Sequence, residues 1–224
     1  MCKIKYSHIG ILGLGSRSTL FYIKQLNETY QEINGGFSTC PFILLNTDFN
    51  KINAFLPNKF EDIKGNLLPY LNKIQKFNIE TLIVPNITLH QTMDMLTLDT
   101  NVRLIHPIKS TVNLLVNKNE KEITLFGSLY SMNDSYIRNY FVTRAIKVSI
   151  PIEPDMKFID DLRQKIYLNK ESQEEINQYR KLVNRYSMNK SVVIACTELS
   201  IFSQDMNTKV YDMANIQINN VLNK

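Results

Sequence analysis

Cysteine is scarce in this chain. The 224 residues hold three, at positions 2, 40 and 196, with no C-x-x-C pair. An odd number at such spacings gives neither a disulfide framework nor a zinc site. No apolar stretch approaches the roughly 20 residues that cross a bilayer. The first residues, MCKIKYSHIGILGLGS, carry lysines ahead of a short apolar run that breaks at glycine. That run is too short for an export signal, so the expected location is the cytoplasm, with no membrane partner. Long basic runs are also missing. The 26 Lys and Arg residues are scattered among 21 Asp and Glu residues. No glycine-aromatic strand motif of the RNA-binding kind occurs, so no nucleic-acid partner is expected. One further absence matters. Gly13 and Gly15 supply a G-x-G, but Ser18 stands at the third glycine position and only Asp48 loosely offers the distal acid. A nicotinamide or flavin site is therefore not expected.

What is present is a series of short apolar runs alternating with amphipathic stretches, which predicts an α/β fold. Strands are expected at Ser7–Gly15, Pro41–Thr47, Thr81–Val84, Val102–Ile105, Glu122–Phe126, Ala145–Ile150, 191–195 and Thr208–Tyr211. Helices are expected over Leu20–Tyr30, Phe60–Phe77 with Pro69 inside, Gln91–Leu96, Lys109–Val116, Met132–Phe141, Asp155–Leu168, Glu171–Met188 and Met213–Leu222. Asp212 is placed to cap the last of these. Asn46, Thr47 and Asp48 follow the second strand and either reach a ligand or, for Asp48, cap the next turn.

The run SVVIACTELSIF, residues 191–202, is the most telling. It reads as a buried strand ending on Cys196, with a helix opening at Thr197-Glu198. A thiol there lies where open α/β sheets bind ligands. Equally, it reads as a small buried apolar residue. The chain also looks duplicated. Gly13 corresponds to Gly127, 114 residues on, and the Asn86 turn corresponds to the Cys196 turn, 110 residues on. Two related halves follow, with Asn86 and Cys196 expected across one cleft. Ser16, Ser18 and Thr19 stand at the first helix N-terminus, where they either cap it or seat an anion. Ser128 repeats that position. Thr88 and His90 follow Asn86, and His90 reads as a structural hydrogen-bonder or as a catalyst.

These segments together resemble the aspartate/glutamate racemase superfamily of cofactor-independent amino-acid racemases. The likeness rests on IGILGLGSRSTLFY, NTDFNKI, VPNITLH, GSLYSM, VVIACTELSI and VYDMANI, and covers nearly the whole chain. It implies two pseudo-symmetric three-layer α/β domains with mainly parallel sheets and an active site in the cleft between them. The expected domains are 1–100 completed by 207–224, and 101–206. It implies proton transfer at the α-carbon of an acidic or other small amino acid between two cysteines, with no cofactor and no metal, and a homodimer. Cys196 stands at the second cysteine position. Asn86 stands at the first, and Ile87 replaces the usual asparagine beside it. Phe158 stands where a lysine over the distal carboxylate is expected, with Lys157 next to it. An arginine after the second strand is missing, and Arg17 or Lys109 is a candidate substitute. Substrate contacts are expected from Ser16, Ser18, Thr19, Thr88, Ser128 and Thr197. Glu198 is expected to orient the turn, because a carboxylate beside a thiol opposes its ionisation. Thr88, His90 or a water would replace the missing partner. The alternatives are a single-cysteine decarboxylase or isomerase of small dicarboxylates, and an inactive carboxylate-binding homologue.

Overall fold

A computed structural model describes residues 9–97, 101–204 and 206–222. Ser7, His8 and Cys2 lie outside the described residues. The chain forms two compact units, one running up to His106 and taking back the stretch from Ile218, the other spanning Pro107–Gln217.

The first unit holds β1 (Ile9–Gly13), α1 (Ser16–Asn34), β2 (Phe42–Asn46), α2 (Asn50–Asn53), α3 (Phe60–Ile74), β3 (Thr81–Ile83), α4 (His90–Met93) and β4 (Arg103–Leu104). Its four strands are all parallel, in the order β2-β1-β3-β4. The central strand β1 is buried at every position, as a strand covered on both faces must be. Helix α3 sets Ile63, Leu67, Leu71 and Ile74 at helical spacing against Leu12 and Leu82 in the core. Pro69 lies within α3, which runs on through it to Ile74.

The second unit holds α5 (Pro107–Asn117), β5 (Glu122–Phe126), α6 (Leu129–Asn133), α7 (Ser135–Val142), β6 (Lys147–Ser149), α8 (Glu153–Tyr167), α9 (Gln173–Ser187), β7 (Ser191–Ile194), α10 (Thr197–Ser200) and β8 (Val210–Asp212). The order is β6-β5-β7-β8, again all parallel. The last helix, α11 (Met213–Leu222), runs across the boundary at residue 217. The two sheets thus repeat one topology, as the spacing of Gly13 and Gly127 predicts. Both glycines sit in crowded surroundings. A Cβ on Gly13 would stand 2.4 Å from Asn46 Oδ1, and one on Gly127 would stand 3.3 Å from the Ala195 carbonyl oxygen.

Three expectations change. Met132–Phe141 is not one helix, because Asp134 is extended and its carboxylate accepts the Tyr136 N–H at 2.7 Å, starting α7 afresh. The strand expected from Ala145 begins at Lys147, because Ala145 (φ 58°) turns left-handed to close α7, with Ile146 N–H donating to Phe141 O. Residues 207–212 do not belong with the first domain, because Val210, Tyr211 and Asp212 pair with Val192, Val193 and Ile194.

Candidate active site

Strand β7 is wholly buried between β5 and β8, and this carries Cys196 to the carboxyl edge of the second sheet. Cys196 is extended and forms the N-cap position of α10. Its carbonyl accepts both the N–H and the hydroxyl of Ser200, at 3.1 Å each. Those bonds fix the backbone at Cys196. Cys196 Sγ donates to Glu198 Oε2 at 3.2 Å, and Thr197 Oγ1 donates to the same oxygen at 3.2 Å. Burial, and then the Glu198 charge, push the thiol well above its ordinary range, while Arg163 pulls it back. Glu198 was expected to orient the turn. Here it accepts the thiol proton's hydrogen bond directly.

The corresponding turn of the first unit follows β3. Asn86 N–H donates to Val84 O at 2.8 Å, and Asn86 Oδ1 accepts Leu89 N–H at 2.9 Å. Only the oxygen of an amide can accept that bond, so Oδ1 is held inside the turn and Nδ2 carries the outward donors. The Asn86 carbonyl accepts from His90 Nδ1 at 2.8 Å. His90 has no exposed surface, and its ring centroid lies 4.8 Å from that of His106. Burial and then the His106 charge hold His90 down at about 3, so it is neutral, with its proton on Nδ1. Expected as a candidate replacement for the missing partner, His90 is instead committed to shaping the Asn86 turn. His106 Nε2 faces Asp94 Oδ2 at 3.4 Å.

The remaining expected residues divide. Gly15, not a serine, is the N-cap of α1, and no side chain caps that helix. Ser16 is exposed and Ser18 is buried. Thr19 is buried and its hydroxyl accepts Leu14 N–H at 3.1 Å, which bridges the glycine turn. Ser128 caps α6, accepting Ser131 N–H at 3.0 Å. Thr88 and Arg17 are half-buried. Lys109 is exposed, with its Nζ 5.7 Å from the centre of the Tyr140 ring. Asp48 is exposed, and its carboxylate lies 3.6 Å from Lys51 Nζ.

The family model described as Asp/Glu/Hydantoin racemase matches residues 11–221. The chain belongs to that family. Among solved structures, an aspartate racemase homologue from Pyrococcus horikoshii OT3 is similar at TM-score 0.81 and 19% identity, over 96% of this chain and 97% of that one. A Picrophilus torridus aspartate racemase is similar at TM-score 0.72 and 16% identity, over 96% and 94%. A glutamate racemase from Bacillus anthracis is similar at TM-score 0.58 and 12% identity, over 97% and 81%. At these identities the likeness is one of fold.

Two residues that the sequence does not single out, Arg163 and Asp160 on α8, lie beside the Cys196 turn. Phe158, where a cation was sought, packs against the core of the second unit. Arg163 is the cation that acts on Cys196, against the Glu198 charge. Among the described residues no group of three or more His, Cys, Asp or Glu side chains is arranged to hold a metal ion, and no helix is long and apolar enough to cross a membrane. A cavity of about 300 Å³ is lined by Thr124, Ser149, Arg185, Tyr186 and Lys190. Its two cations are already paired, Lys190 with Glu122 at 2.6 Å and Arg185 with Asp155 at 2.5 Å.

Asp212 ends β8 beside β7 and is 7% exposed. Its Oδ1 accepts the N–H groups of Ala214 and Asn215, at 2.9 and 3.0 Å, as the expected cap. Burial nevertheless raises its carboxyl to about 6, against which these N–H groups pull. The unfolded chain therefore loses this proton at lower pH than the folded one, and stability falls as pH rises from about 4 to about 6. Asp212→Asn keeps the cap acceptor and removes the charge. It should gain up to about 3 kcal/mol at pH 7.5 and close to nothing at about pH 4. Urea unfolding at the two pH values checks this. An equal change at both would remove the titration from the account.

Proposed function

We propose that this chain is a cofactor-independent isomerase of the amino-acid racemase type, moving a proton at the α-carbon of an acidic or other small amino acid through Cys196. The observation that carries the reading is the Cys196 thiol at the end of β7, donating to Glu198 in a chain of this family. The sulfur–hydrogen bond breaks with its electron pair left on sulfur, and the proton moves to Glu198 Oε2. The thiolate then takes the α-proton, and the carbon–hydrogen electron pair enters the substrate carboxylate as an enediolate. N–H donors stabilise that charge. We assign Asn86 to the position of the family's first cysteine, where its Nδ2 supplies such donors. An amide does not titrate near neutral pH, so the proton for the opposite face comes from Thr88 or a water. The test is product analysis after incubation with single enantiomers of a panel of small amino acids. Appearance of the antipode supports the reading.

One observation favours a second reading, in which chemistry takes place on a single face. Asn86 Oδ1 is held by Leu89 N–H, leaving that position with donors only. A decarboxylation of a small dicarboxylate also leaves an enediolate, which needs one proton on one face, and Cys196 alone supplies it. Release of carbon dioxide from small dicarboxylates, with no antipode formed from any amino acid, would replace the first reading by this one.

A further inference from the structure

Helix α8 packs against both α6 and α10, which places it beside the Ser128 turn and the Cys196 turn. Asp160 on α8 is 5% exposed and receives three hydrogen bonds. Leu129 N–H and Arg163 Nε donate to Oδ1 at 3.0 and 2.7 Å, and Gln164 Nε2 donates to Oδ2 at 2.8 Å. Burial alone would raise this carboxyl, but the donors win and hold it below its usual range, so it is ionised. Only Nε of Arg163 takes part in that clamp, and its terminal nitrogens have no hydrogen-bond partner among the described residues. The guanidinium side chain is 31% exposed, and its charge reaches both Cys196 and Glu198.

The Cys196–Glu198 pair has an electrostatic difficulty. It carries one negative charge whether the proton sits on sulfur or on Oε2, and the thiol is buried. An isolated buried charge is costly unless a counter-charge stands nearby. Among the described residues, these titratable groups act on the pair. Glu198 comes from α10, Arg163 and Tyr167 from α8, and Tyr179 from α9, with Asp212 at the end of β8 facing Tyr179. Burial keeps both tyrosines protonated, and the Tyr179 hydroxyl is bonded to Ser203 Oγ at 3.0 Å. Arg163 is the cation in this set. An arginine on a partly exposed helix face otherwise swings into solvent, because its side chain has large rotamer freedom. The Asp160 clamp on Nε removes that freedom, and Leu129 N–H and Gln164 Nε2 hold the Asp160 carboxylate in place.

We propose that Asp160 is a positioning residue which, through Arg163, fixes a cation against the Cys196–Glu198 pair and so allows the proton to pass from sulfur to carboxylate. This rests on the role given to Cys196 above, but it is tested without substrate. The readout is the rate of Cys196 alkylation by iodoacetamide at about pH 8, followed by mass spectrometry on the peptide that holds Cys196. Only the thiolate reacts. Arg163→Met should slow alkylation about tenfold, the effect of a one-unit rise in thiol pKa. Arg163→Lys should fall between it and the unaltered chain. Asp160→Asn should slow alkylation severalfold alone and add nothing in the Arg163→Met background, since it acts through Arg163. Glu198→Gln, which removes the neighbouring charge, should speed it. A merely structural Asp160 predicts the opposite sign, because loosening the fold exposes the thiol and speeds alkylation. Arg163→Met alkylating at the unaltered rate would overturn the proposal. So would Asp160→Asn slowing the double variant as much as the single one. Loss of racemase activity with these alkylation rates intact would count against the reaction and leave the clamp standing.

Discussion

Replacing Cys196 by serine should lower α-proton exchange by at least about a thousandfold, within the 10²–10⁴ range that a positioned acid–base group contributes and near its upper end. The substitution keeps the size of the side chain and the backbone bonds from Ser200 to the Cys196 carbonyl. A serine hydroxyl can still donate to Glu198, so the turn should hold and the unfolding midpoint should barely move. What is lost is acidity. An alcohol does not yield its proton to a carboxylate, and without an ionised atom at this position nothing removes the α-proton. Cys40 provides the control. It is 6% exposed, burial pushes its thiol up to about 11, and its N–H is bonded to Asn27 Oδ1 at 3.0 Å. Cys40→Ala should leave exchange unchanged. Equal losses in both variants, or no loss in Cys196→Ser, would remove the thiol from the chemistry.

The second large effect is a gain. Asn86→Cys should raise the rate of inversion at least about tenfold, because it places a titratable thiol where the amide offers only N–H donors. Exchange without inversion should change much less, since that part belongs to Cys196. The change has a structural cost. Asn86 Oδ1 accepts Leu89 N–H, and losing such a hydrogen bond costs about 1 kcal/mol. The measurement is the ratio of antipode formed to deuterium incorporated, on the same substrate, for both proteins. A ratio that stays fixed or falls would show that Asn86 is not the missing partner's position.

The fold was legible because its signals are local and repeated. Continuous apolar runs such as EITLF and SVVI mark strands covered on both faces, and the amphipathic stretches between them mark crossovers. Gly13 and Gly127 recur where the central strand of each sheet turns toward a helix, each in crowded surroundings. Boundaries were less legible where a single side chain or dihedral decides them. Asp134 restarts a helix, and Ala145 takes a left-handed φ without being glycine. Nothing in TKVYD says which sheet it joins, because strand pairing is set by contacts far apart in sequence.

The candidate site is legible in the sequence only in part. Cys196 at a strand end and Asn86 on the equivalent turn follow from the repeat. Of the two roles open to Ser16, Ser18 and Thr19, capping is withheld by the structure, since Gly15 takes the cap and Thr19 turns back to Leu14 N–H. His90 gave no sequence signal of complete burial. Asp160 and Arg163 sit three apart on a charged helix, a spacing that ordinarily marks a solvated surface pair. Only the packing of α8 on α10 turns that pair toward the thiol. Glu198 was discounted on a sound premise, that a carboxylate opposes thiol ionisation. The geometry keeps the premise and adds that the proton has somewhere to go at 3.2 Å.

The most direct test of the account is α-proton washout in heavy water, followed by proton NMR over a panel of D- and L-amino acids with acidic and small side chains. The account predicts that at least one amino acid loses its α-proton signal in the presence of the unaltered protein and keeps it with Cys196→Ser. No exchange with any amino acid, under conditions where carboxylates bind, would contradict it and leave a carboxylate-binding member of the family.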